Sequence, residues 1–211
     1  MPLQWGDNEL SNFLLRNRAC KSAIDWFAHS KITKFEDAWS KCKEPGWLLW
    51  ALDRAGFSGE AESVGRRYVY ECLKCVDKML TDPRSKRAMK VLFDSLSSSV
   101  DEGRLETARR LAQQAVDACC VSDASGTSKA VSPQTRAAQA LAASLVPVRE
   151  EWPEDLDYAA SLAAEADSQS KTKLEVNKPP WQNCRQKQAE MIRNMITEAE
   201  LKELIDSLRK V

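Results

Sequence analysis

Residues 45–56 read PGWLLWALDRAG, and this stretch decides the fold. Proline at its head has no N–H to lose in the first turn of a helix. Gly56 at its foot can take the left-handed backbone that ends one. Between them Trp47, Leu48, Leu49, Trp50 and Leu52 place apolar groups on almost every side. A helix that is apolar nearly all round is a buried helix. The spacing therefore predicts a core helix here, the centre of the N-terminal core.

The same period recurs outward from it. Upstream, Leu10, Phe13 and Leu14 follow the candidate N-cap Asp7. Ala23, Ile24 and Phe27 form a second stripe, with Trp26 beside it, and Phe35, Ala38, Trp39 and Cys42 a third. Thr33 and Glu36 stand at capping-box spacing before that third helix. Downstream, Val64, Tyr68, Cys72, Cys75, Val76, Met79 and Leu80 line one helix from Glu60 to Leu80. Asp82-Pro83 and Ser132-Pro133 each put a capping side chain before a proline at the first helical position. They open helices running to about Val100 and to Pro147, with Gly103 as a break after the first. Leu105 to Val121 carries an alanine stripe, and SDASGTSKAV at 122–131 reads as a surface loop. Trp152-Pro153 opens the next helix, and Thr197 with Glu200 repeats the capping-box spacing before the last.

Alternation of the kind a strand needs is absent beyond a few residues. The expectation is an all-α fold, an irregular multi-helix bundle of antiparallel helical hairpins with about ten helices. Residues 1–167 form an alanine- and Trp-rich bundle in this reading. Residues 168–180 are a linker or extended crossing, and 181–211 a C-terminal helical pair packed on the bundle.

Composition narrows the functional classes. The 211 residues carry 31 basic and 31 acidic side chains, a net charge of zero. Such balance argues against a wholesale nucleic-acid binder and against an acidic mimic of one. MPLQWGDNEL at the start has no basic and then apolar run of the secretory kind. No segment approaches the ~18 apolar residues that span a bilayer. Seven cysteines, an odd number set within apolar stripes, indicate reduced thiols and a cytoplasmic protein.

Catalytic signatures are missing. Cys72 and Cys75 form C-x-x-C, but in mid-helix, where no helix N-terminus lowers a thiol pKa. A structural zinc site would need further ligands, and only Cys119, Cys120 and His29 offer themselves. His29, the single histidine, would have to carry any Ser-His or Cys-His chemistry, and no G-x-S-x-G elbow accompanies it. Phosphate-binding glycine loops are absent. The expectation is no catalytic residue, no cofactor and no metal.

Two charge clusters remain. Arg66, Arg67, Lys74, Lys78, Arg84, Lys86, Arg87 and Lys90 make a possible basic patch. Interleaved acids and the lack of an aromatic stacking platform favour a solvated, salt-bridged face over a nucleic-acid site. Glu150, Glu151, Trp152, Glu154, Asp155, Asp157 and Tyr158 make an acidic cluster with aromatics. Acids near a helix N-terminus complement its dipole. That is the favoured reading; the sharper alternative is a docking surface for a basic partner, since aromatics beside acids make good anchors. On the last helix Leu201, Leu204, Ile205 and Leu208 form a stripe too short to stand alone in water. It either docks on its own chain or pairs two copies, and the monomer is favoured.

FEDAWSKCKEPGWLLWAL at Phe35–Leu52 resembles the A-W-x-x-C…W-x-x-W element of a group of all-helical immunity proteins. These belong to bacterial polymorphic toxin systems and also occur in phage genomes. RRYVYECLKCV at Arg66–Val76, the alanine-rich middle, and the R-x-x-Q-x-x-x-I-R pattern in CRQKQAEMIRNMI at Cys184–Ile196 follow in the order that group shows. The resemblance spans roughly residues 17–196. It implies a non-enzymatic cytoplasmic protein that neutralises a toxin or effector by direct binding. An alternative is a phage-encoded anti-defence protein that blocks a host nuclease complex or nucleotide-signalling effector. A structural helical adaptor is a further alternative. In each case the partner is another protein, with neither nucleic acid nor membrane expected.

Overall fold

The computed structural model describes residues 9–55, 58–97, 100–125, 131–145, 152–171 and 180–208. The helices are α1 (Glu9–Arg16), α2 (Lys21–Ser30), α3 (Phe35–Lys41), α4 (Pro45–Arg54) and α5 (Ser58–Cys75). After a 3-10 turn at Asp77–Met79 come α6 (Pro83–Asp94), α7 (Glu102–Ser125) and α8 (Pro133–Ser144). Then follow α9 (Trp152–Lys171), α10 (Pro180–Met195) and α11 (Glu198–Leu208). No strand occurs among the described residues, so the all-α multi-helix bundle holds. No helix among the described residues is long and apolar enough to cross a membrane.

Local chemistry explains the helix starts. Asp82 accepts from the Arg84 N–H at 2.7 Å, and Ser132 from the Thr135 N–H at 3.2 Å, each just before a proline. Thr197 and Glu200 form the reciprocal box: the Thr197 N–H donates to Glu200 at 2.6 Å and the Glu200 N–H to Thr197 Oγ1 at 3.3 Å. Thr33 and Glu36 do not form one. Helix α3 begins at Phe35 with Lys34 as its N-cap, which puts Glu36 one position short of the reach a box needs.

Several boundaries differ from the sequence reading. Helix α5 ends at Cys75, short of the expected Leu80. Helix α7 starts before Gly103 and continues to Ser125, past the expected loop start at 122. Its last turn is tied down, because Asp123 accepts from the Ser132 N–H at 3.0 Å and from Thr135 Oγ1 at 2.7 Å. Helix α6 ends at Asp94, short of Val100. Helix α9 runs to Lys171, into the segment expected to be a linker; the remainder, 172–179, lies outside the described residues.

The core has α9 at its centre. It packs on α4, α5, α8 and α10, and its Leu156, Ala159, Ala160, Leu162, Ala163 and Ala166 are all buried. Helix α4 contributes Leu48, Leu49 and Leu52 to the same core, while Trp47 and Trp50 are only partly buried against it. Helix α10 lies on α4, α5 and α9, and its Ala189 and Ile192 are fully buried.

Candidate functional site

Three helices with small side chains shape an open groove. Helices α7, α8 and α9 leave a cavity of about 530 Å³ at the surface, lined by residues from all three. Val116, Ala142, Ala143 and Leu162 make its apolar floor; Glu106, Arg109, Arg110, Gln113 and Gln139 stand at its rim. Tyr158 adds an aromatic ring that is 60% exposed. Arg109 is held by Glu106 through hydrogen bonds of 3.0 and 3.1 Å, and Gln113 donates to Asp117 at 3.0 Å. Arg110 meets no carboxylate among the described residues.

The acidic cluster does not form one surface. Glu150, Glu151 and the side chain of Trp152 lie outside the described residues. Glu154 is exposed, Asp155 half-buried, and Tyr158 lines the groove. Asp157 turns the other way, into an internal polar cluster. There the Arg185 NH2 donates to Asp157 Oδ2 at 2.8 Å, and NH1 lies 2.8 Å from Oδ1. The same guanidinium reaches Ser161 Oγ at 3.1 Å, Gln188 Oε1 at 3.4 Å and Glu44 Oε2 at 3.3 Å. Gln188 in turn donates to the Ala160 carbonyl at 2.9 Å and to Cys72 Sγ at 3.6 Å.

Four helices meet at that cluster. Arg185 is only 12% exposed in its side chain. Burial works against its charge, but the hydrogen bond to Asp157 together with the nearby charges of Asp157 and Glu44 outweighs this and raises its pKa above the ordinary arginine value. Gly46 gives room where α4 passes Asp157: a Cβ there would stand 2.6 Å from Asp157 Oδ2, so the carboxylate would have to shift. The Tyr68 hydroxyl beneath is fully buried with Cys72 beside it, and burial lifts its pKa well above the usual phenol value. Further along α10, Arg193 donates to the Cys42 carbonyl at 2.7 Å and the Trp39 carbonyl at 3.3 Å, closing the end of α3. The arginines, glutamine and isoleucine of the R-x-x-Q-x-x-x-I-R pattern thus hold α10 to the body of the chain.

The cysteine pair splits between inside and outside. Cys72 is buried, and burial pushes its thiol up to about 12; Cys75 is exposed and donates to the Glu71 carbonyl at 3.6 Å. A thiol with so high a pKa is protonated at neutral pH and is not a nucleophile. Cys42 is likewise raised by burial, to about 11. His29 sits exposed at the end of α2 with Nδ1 2.6 Å from the Asp25 carbonyl. Among the described residues no group of His, Cys, Asp and Glu side chains is placed to hold a metal ion.

The basic cluster is redistributed. Arg66 is buried and leaves the surface. Arg84 is bound to Asp82 at 2.7 Å, and that pairing pulls the Asp82 pKa below the usual carboxylate value. Lys74 pairs with Glu71 at 2.8 Å and Lys86 with Asp77 at 2.7 Å. Arg67, Lys78, Arg87 and Lys90 are exposed without an ion partner among the described residues. The expectation that no aromatic accompanies this cluster is overturned. Tyr70 on α5 and Phe93 on α6 meet with ring centroids 5.4 Å apart, and Phe93 is 49% exposed. The pair forms across two helices, which spacing along either one does not show. A hint was present: Phe93 occupies a position on α6 whose neighbours at i−3 and i−7 are lysines.

The terminal stripe docks within the chain. Leu201, Leu204 and Ile205 line an apolar cavity of about 80 Å³ with Phe13, Trp39, Trp47 and Trp50; the side chain of Leu208 lies outside the described residues. The groove residues Arg109, Arg110, Gln113 and Gln139 were missed from sequence. For Arg109, Arg110 and Gln113 the signal is a polar stripe at three- and four-residue steps on α7, which also fits an ordinary solvated face.

No protein-family model, no curated protein and no solved structure matches the chain.

Proposed function

We propose that this chain is a non-enzymatic protein-binding inhibitor of the immunity kind, which neutralises a toxin or effector by covering it, and that it docks through the groove of α7, α8 and α9. One observation carries this reading. Tyr158 stands exposed in the same groove as Arg110, which meets no carboxylate among the described residues, above a floor of alanine, valine and leucine. Tyrosine and arginine are among the residue types that dominate binding energy when a partner covers them. The glutamines at the rim supply adaptable hydrogen bonds, and an opening of about 530 Å³ admits one or two partner side chains. The resemblance of Phe35–Leu52 and Cys184–Ile196 to immunity proteins points the same way.

The test is rescue from toxicity. A toxin encoded beside this gene is expressed with and without the chain, and growth is measured. Wild-type chain should restore growth. The double variant Tyr158→Ala, Arg110→Glu should bind the toxin at least ~30-fold more weakly, the scale of one lost hot spot. Its melting temperature should stay unchanged, since both side chains face solvent. Full rescue by that variant would remove the groove from the reading, and failure of the wild-type chain would remove toxin neutralisation.

A further inference from the structure

Helices α5 and α6 present a second surface that the groove reading leaves unused. Tyr70 and Phe93 lie side by side between the two helices, 5.4 Å apart and tilted by 41°. Lys74 sits over the Tyr70 ring at 5.9 Å. Along α6 the row is Lys86, Lys90, Phe93, at steps of four and three residues on one stripe. Along α5 it is Arg67, Tyr70, Lys74, again one turn apart. Each row sets a ring among cations at ~4.5–6 Å intervals, from the rise of an α-helix. That interval is close to the repeat of one nucleotide in an extended strand.

We propose that this face binds single-stranded nucleic acid, with a base stacked on Phe93 against Tyr70 and the flanking phosphates on Arg67, Lys86 and Lys90. Base–aromatic stacking combined with cations that track the backbone is how single strands are held without sequence preference. Glu71 and Asp77 neutralise Lys74 and Lys86 in part, whereas Arg67 and Lys90 meet no carboxylate among the described residues. Asp94, next to Phe93, is turned to Arg104 at 3.1 Å. The net charge of zero for the whole chain makes the attraction local to this face. An acidic protein segment fits less well. Its anchoring side chain needs a hole to fill, and Phe93 lines neither of the two cavities described above. It offers a ring to lie against.

Fluorescence anisotropy with a fluorescein-labelled oligothymidylate of ~20 nucleotides tests this on the full chain, which is long enough to cover one such site. Binding should be measurable at 50 mM salt and fall roughly tenfold by 200 mM, as expected for two to three phosphate contacts. Phe93→Ala should weaken it about tenfold, and Lys90→Glu with Arg67→Glu should abolish it, all with unchanged melting temperature. A duplex of the same length should bind more weakly than the single strand, because its bases are already stacked. No binding at 50 mM salt overturns the proposal. So does binding that ignores Phe93, or equal displacement by polyglutamate, which would assign the face to an acidic protein instead. None of these outcomes touches Tyr158 or Arg110, so the groove reading stands or falls separately.

Discussion

The two ends of the core are built from opposite side-chain sizes. Around α4, aromatic rings do the packing. Phe13 meets Phe35 at 5.6 Å and Trp50 at 5.5 Å, edge to face, and Trp26 meets Trp47 at 5.7 Å. Around α8 and α9, alanines do it. Ala137, Ala138, Ala140, Ala159, Ala160, Ala163 and Ala166 are buried, and α8 with α9 makes the most extensive helix contact among the described residues. Large rigid rings touch at discrete edges and leave a cavity of about 80 Å³ between them. Small side chains bring helices close, and the open volume beside them is the wider groove of about 530 Å³. The narrow apolar pocket and the wider groove differ in the size of the residues on the stripes that line them.

That contrast can be broken by substitution. The largest effect is expected on the alanine side. Ala159→Leu forces extra carbons into a site with no accessible surface, and urea unfolding should show a loss of about 3 kcal/mol, the upper part of the range for overpacking. A variant as stable as wild type would mean that α8 and α9 are looser than described. Next comes the cluster that joins both sides. Arg185→Met leaves Asp157 without its cation beside α4. The expected loss is about 2 kcal/mol, below the range for a fully buried pair because Asp157 and Glu44 keep some access to water. Pairing it with Asp157→Leu should recover part of that loss, since the stranded charge is then gone; no recovery would show that Asp157 does not depend on Arg185. The smallest effect belongs to the aromatic side. Ala51→Val adds carbons into the cavity Ala51 lines, and stability should change by less than about 0.5 kcal/mol, in sharp contrast to Ala159→Leu.

Much of this architecture was legible beforehand, and the reasons are local. Asp82-Pro83, Ser132-Pro133 and Thr197…Glu200 state their own helix starts, because a cap is satisfied within three residues. The apolar stripes identify the faces of α4, α5 and α11 because burial follows helical period. What misled was also local. Thr33 and Glu36 have the spacing of a cap, yet α3 begins one residue too late to use it. Ser122 to Ser125 has loop composition, yet Asp123 grips the start of α8 and keeps those residues helical. The acidic cluster near Trp152 reads as one patch, yet Asp157 and Tyr158, adjacent in sequence, meet different neighbours, Arg185 on one side and the groove on the other.

The sequence by itself determined the helical class, most of the helix starts and the apolar face of each helix, since all of these depend on neighbours within one or two turns. Only the tertiary structure decided which side chains of different helices stand together. Arg185 reaches Glu44 across 141 positions, Arg193 reaches the end of α3 across more than 150, and Tyr70 meets Phe93 between two helices. Those meetings depend on how helices pack, and packing depends on the summed shapes of side chains far apart in the chain. A stripe tells a helix which face to bury; it does not tell it against whom.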